Sequence, residues 1–142
     1  MNPILKFIGT VIILGVLALW MKTGQAAEDW LVVTVGSRHD EPGYNETNWG
    51  IGVEHGLSRD WRALAGTYRN SYYRQTVYVG AARTLWRSGN WLFGITGMIV
   101  TGYGDRPEPV FFPAIAYEGR TFGVNFGPVL PSVVALQVKM RF

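Results

Sequence analysis

The chain holds 142 residues, with 13 Lys and Arg against 10 Asp and Glu and no cysteine. Without cysteine there is no disulfide framework and no thiolate metal site, and only two histidines leave no metal-ligand spacing. Lys6 and Lys22 fall in the first 27 positions, so the remainder carries 11 basic against 10 acidic residues, which excludes the basic excess of a nucleic-acid binder.

In chain order, Lys6 precedes an apolar stretch from Phe7 to Trp20, followed by Lys22-Thr-Gly-Gln-Ala-Ala27. A short positive region, an apolar region and small residues at a cleavage position predict a signal peptide over 1–27. The stretch falls short of the roughly 18–20 apolar residues of a spanning helix. An uncleaved anchor is the alternative. Cleavage leaves a domain over 28–142, beginning Glu28-Asp29-Trp30.

That domain divides into eight predicted strands, over about 30–38, 48–57, 61–70, 75–86, 91–101, 110–118, 121–128 and 133–142. Most approach the roughly 9–11 residues of a tilted transmembrane strand. Side chains alternate between the two faces of a strand. Trp49, Ile51 and Val53 oppose Gly50, Gly52 and Glu54, and Phe122, Val124 and Phe126 oppose Gly123, Asn125 and Gly127. The last strand sets Val134, Leu136, Val138, Met140 and Phe142 against Ala135, Gln137, Lys139 and Arg141. Apolar residues outside and small or polar ones inside predict an all-β fold, an eight-stranded antiparallel transmembrane barrel. The terminal aromatic Phe142 predicts handling by the barrel assembly machinery of a bacterial outer membrane. A soluble lipocalin-like barrel is the alternative fold, and it demands the opposite alternation.

Ser58-Arg59-Asp60, Arg87 to Asn90 and Glu118-Gly119-Arg120 are tight turn sequences, and the other connections, near 38–47, 71–74, 102–109 and 129–132, include the longer ones. With the N-terminus in the periplasm, those four face outward. Trp61, Trp86 and Trp91 beside the short turns suit an interfacial girdle. Strand five is apolar on both parities; with Phe93, Ile95 and Ile99 facing lipid, its inward set is Leu92, Gly94, Thr96, Met98 and Val100. That inner surface is either packed core or a slot for one hydrocarbon chain. Pro107, Pro109 and Pro113 gather around strand six, and Pro128 and Pro131 flank the last loop. Proline donates nothing to a strand ladder, so these positions are either loop punctuation or a lateral opening.

Four patches carry a family resemblance: Tyr44-Asn45-Glu46 with Trp49-Gly50-Ile51-Gly52; Tyr68-Arg69-Asn70-Ser71-Tyr72; Pro107 to Pro113 leading to Ala116-Tyr117-Glu118-Gly119-Arg120-Thr121-Phe122; and Met140-Arg141-Phe142. From about His39 to Phe142 the chain resembles the outer-membrane lipid A palmitoyltransferases, the PagP family. The resemblance implies transfer of an acyl chain from a phospholipid to lipid A. The family's loop His matches His39 and its Ser matches Ser71, while its Asp position is Asn70. Only Glu28 and Asp29 precede the first strand, where the family carries an amphipathic helix, and the loops are shorter. No cofactor is expected, and the partners expected are membrane lipids, phospholipid and lipid A, met by a monomer.

Read without the resemblance, His39 follows the first ascending strand and Ser71 the third, so both belong to the outer rim. A His beside a hydroxyl is the minimum for acyl transfer. Asn70 offers either orientation of the ring or an amide donor to an oxyanion. Asp40 and Glu46, in the loop of His39, are candidates for a carboxylate on the ring. His55 has the parity of lipid-facing residues near the short turns and reads as an interface residue. Arg62, Arg69, Arg74 and Arg83 either fill the lumen or meet lipid phosphates. Deacylation at the same site is the alternative activity. A non-enzymatic small barrel serving surface masking, adhesion or membrane integrity is the alternative from another class.

Overall fold

The computed structural model describes residues 28–129 and 133–142; the signal peptide expected over 1–27, and Pro131, lie outside them. Eight strands follow in order: β1 (Asp29–His39), β2 (Gly50–Gly56), β3 (Trp61–Arg69), β4 (Gln75–Ser88), β5 (Trp91–Val100), β6 (Glu108–Glu118), β7 (Phe122–Val129) and β8 (Val133–Arg141). Each end lies within two residues of its expected place. Every strand pairs antiparallel with its neighbours in sequence, and β1 pairs with β8, which closes the sheet. Closure pairs every strand on both sides over at least part of its length, which removes the long free edges of an open sheet.

The outer wall is apolar. Ile95 on β5 is 51% exposed and Phe111 on β6 is 80% exposed, and Val79, Ile99, Phe122, Val134 and Val138 are open beside them. Trp61, Trp86, Trp91 and Tyr117 ring the short-turn end, with Trp86 against Phe93 and Trp91 against Tyr117. Trp49 and Tyr73 lie exposed toward the long-loop end. Such an apolar belt between aromatic girdles is stable in lipid and costly in water.

The lumen is the core, and it is built in two parts. Tyr78 crosses it over Gly52 and Gly66, where any Cβ would collide with the phenol hydroxyl. Glycine at those two positions is therefore a space requirement. At the short-turn end Lys139 donates to Glu54 at 3.0 Å and to Glu118 at 2.5 Å. Arg62 donates to Glu54 at 3.1 Å and pairs in two-pronged fashion with Glu118. Above this knot Asn125 donates to Glu54 and Gln137, and Gln137 donates to Thr34. The opposing wall, on β3 to β6, carries Leu64, Leu92, Met98, Val100 and Phe112, and the inward set of β5 is the expected one. A cavity of about 530 Å³ lies between the walls.

Two irregularities matter for the site. The register of β1 against β8 shifts between Thr34 and Gly36, leaving Val35 as an extra residue. Trp30, Val32 and Thr34 face inward before that bulge, and Ser37 and His39 face inward after it. Strict alternation would have turned His39 to the lipid; a bulge re-aims side chains in this way. The second irregularity is a seam. Among the described residues β6 pairs with β7 only from Ile115 to Glu118, and its stretch from Glu108 to Ala114 pairs with β5. Pro109 and Pro113 lie in that stretch and Pro128 lies on the facing end of β7.

Candidate functional site

His39 enters the site from the end of β1 and Ser71 from the turn after β3. Ser71 Oγ and His39 Nε2 stand 2.8 Å apart, at hydrogen-bond distance, and both line the mouth of the lumen cavity. The imidazole stacks on Tyr44 with ring centroids 4.7 Å apart and planes 22° from parallel. Its Nδ1 is buried and has no hydrogen-bond partner among the described residues. No carboxylate orients the ring: Glu46 accepts from the backbone N–H of His39 at 3.2 Å instead, and Asp40 is solvent-exposed. Stacking therefore holds the ring where a carboxylate commonly does.

Asn70 is buried, and its side-chain amide is committed to the turn and to the strand and loop beside it. Its Nδ2 donates to Thr76 Oγ1 at 3.1 Å and to the Gly102 carbonyl at 2.9 Å. Its Oδ1 accepts from the backbone N–H groups of Tyr72 and Arg74 at 2.9 and 3.0 Å. The amide thus touches neither His39 nor Ser71; it sets the backbone that presents Ser71, in the manner of an Asx turn. Tyr73, with φ of 61°, completes that turn in the left-handed region. Aspartate would lose both donors and set a carboxylate against the Gly102 carbonyl. Asn70→Ala is expected to cost about 1–3 kcal/mol by stranding these buried partners, read as a lower urea midpoint of the barrel in vesicles. A midpoint unchanged from the parent would contradict this role.

A second ring of residues completes the mouth. Tyr44 meets Tyr72 edge-on at 5.8 Å and Tyr72 meets Tyr103 at 5.9 Å. The Tyr103 and Tyr68 hydroxyls lie 2.8 Å apart. Burial raises the Tyr103 phenol above its ordinary value, so it stays protonated and adds no charge. Tyr44, Tyr68 and Tyr72 stand in the sequence only as parts of the resemblance patches and Tyr103 carries no mark of its own; the signal for a shared role is a tyrosine in each of the first three long-loop-end connections.

The remaining candidates lie elsewhere. His55 has the outward parity at the short-turn end but is buried there, with its Nδ1 paired to Asp29 at 2.6 Å, so it is not the open interface residue expected. Arg62 fills the lumen floor, whereas Arg83 lies over the Trp61 ring and Arg69 over the Tyr73 ring, both on the outer surface. Arg74 is exposed at the long-loop end.

No protein-family model matches the chain, and no curated protein matches it. A solved structure from work on "De novo design of transmembrane beta-barrels" superposes with a TM-score of 0.67, covering 84% of this chain and 98% of that one at 11% identity. At that identity the likeness is one of fold. The chain has the fold of a transmembrane β-barrel.

Proposed function

We propose that the protein is a lipid-modifying enzyme of a bacterial outer membrane, transferring an acyl chain from a phospholipid to lipid A as the palmitoyltransferases it resembles do. One observation carries the reading: the 2.8 Å contact of Ser71 Oγ with His39 Nε2 at the mouth of a cavity with one apolar wall. In the tautomer with its proton on Nδ1, His39 accepts the Ser71 proton as Oγ attacks the ester carbonyl. The lysophospholipid alkoxide leaves with that proton, and an acyl-serine remains. A lipid A hydroxyl then attacks, His39 takes its proton, and the ester formed departs as Ser71 Oγ is reprotonated. The seam between β6 and β7 supports the reading, because it gives a lipid chain a way between membrane and cavity.

Mass spectrometry of lipid A from outer-membrane-bearing cells tests this directly. Wild type is expected to add the mass of one acyl chain, and Ser71→Ala and His39→Ala none. A lost chain would make the protein a deacylase, with water in place of the acceptor. Unchanged lipid A, with the protein folded in the membrane, would point to the non-enzymatic barrel and end the proposal.

A further inference from the structure

Charge is sorted at the long-loop end. Glu41 and Glu108 line the cavity mouth together with His39, Tyr44, Tyr72 and Tyr103. Neither carboxylate forms an ion pair among the described residues. Arg83 borders the cavity, but its guanidinium lies over the Trp61 ring on the outer surface, so the cationic groups inside are Arg62 and Lys139, which belong to the floor knot. Arg38, Arg69, Arg74 and Arg106 are exposed and do not line it. The mouth is therefore an acidic vestibule walled by phenol rings, inside a rim of mixed charge where Asp40, Glu46 and Asp105 stand exposed beside these arginines.

We propose that this vestibule binds the ammonium head group of the donor phospholipid, with the ester beside Ser71 and the cation among Tyr44, Tyr72, Tyr103, Glu41 and Glu108. The inference rests on the acyl-transfer reading for its direction, and the chemistry of recognition is independent of it. Cations are drawn to aromatic faces by the ring quadrupole, and partial desolvation at a cavity mouth strengthens that attraction. Two uncompensated carboxylates add to it and repel a head group that carries only negative charge.

The test is lipid retention by the barrel purified in detergent, measured by native mass spectrometry for matched phosphatidylethanolamine, phosphatidylcholine and phosphatidylglycerol. Ser71→Ala serves alongside the wild type so that bound lipid stays intact. Both ammonium lipids are expected to be held about tenfold more tightly than phosphatidylglycerol. The Glu41→Gln/Glu108→Gln double variant is expected to bring that ratio to about one, and Tyr72→Ala to lower it. Heat-dependent gel mobility establishes that each variant is folded. A wild-type ratio near one, or a ratio the double variant leaves unchanged in folded protein, would overturn the assignment. So would displacement of lipid by dissolved choline at equal concentration, which would mark a soluble amine as the ligand. Selective retention without any change in lipid A would sink the transferase and leave the head-group site standing.

Discussion

Lys139→Met is expected to destabilise the barrel by about 3–5 kcal/mol, because it removes one charge from a buried, balanced set. The Lys139 side chain is 1% exposed, with its ammonium between Glu54 and Glu118 and 4.9 Å above the Trp30 ring. Two carboxylates and two cations cancel in that knot; methionine keeps the length and apolar stem but leaves a net negative charge that Arg62 alone must serve. The carboxylates have no easy route to water, since Trp30 closes the knot from below with no exposed surface. Urea unfolding in phospholipid vesicles, followed by tryptophan fluorescence, reads the loss. Adding Glu118→Gln restores neutrality, so the double variant is expected to recover about 2 kcal/mol of it. A single variant within 1 kcal/mol of wild type would show that the knot is solvated or dispensable. Burying this network is costly in itself, and what it achieves is a closed floor: the lumen is sealed by groups that bind one another rather than water.

Much of this architecture was legible from residue alternation. Phe122, Val124 and Phe126 against Gly123, Asn125 and Gly127 state both the facing of β7 and the polarity of the lumen. In β5 both parities are apolar, so alternation alone leaves its facing open, and the structure supplies the choice by turning Ile95 and Ile99 outward. The site was legible only in part, and each omission has a physical reason. A bulge leaves no mark on alternation when the residues around it are small or β-branched, as Val35 and Gly36 are, so the inward turn of His39 had to be seen. Pairing across the lumen depends on strand shear, so Glu54 and Lys139, 85 positions apart, read as isolated polar residues rather than partners. Asn70 was weighed as a group acting on substrate or on His39. Its neighbours, Thr76 and the Gly102 carbonyl, come from the next strand and the next loop but one, and they claim its amide first.

Ser71→Ala and His39→Ala are each expected to lower the acyl-transfer rate about 10²–10⁴-fold, and the double variant is expected to be no slower than the worse single one. The expectation follows from their contact: the hydroxyl is a weak nucleophile without the imidazole, and the imidazole has no proton to take without the hydroxyl. Residues that act as one unit fail together, whereas two independent contributions would multiply. Stability offers the control, because the contact lies at the rim and its loss strands no deeply buried charge; both variants should unfold near the wild-type urea midpoint. Tyr44→Leu adds a finer test. It removes the ring on which His39 stacks while leaving Ser71 and the turn of Asn70 in place. With no carboxylate to hold the imidazole, the rate should fall about tenfold, on the scale of one lost aromatic contact. Multiplicative losses in the His39 and Ser71 pair would mean that the two act at separate steps, with His39 serving the acceptor hydroxyl and Ser71 only positioning the donor.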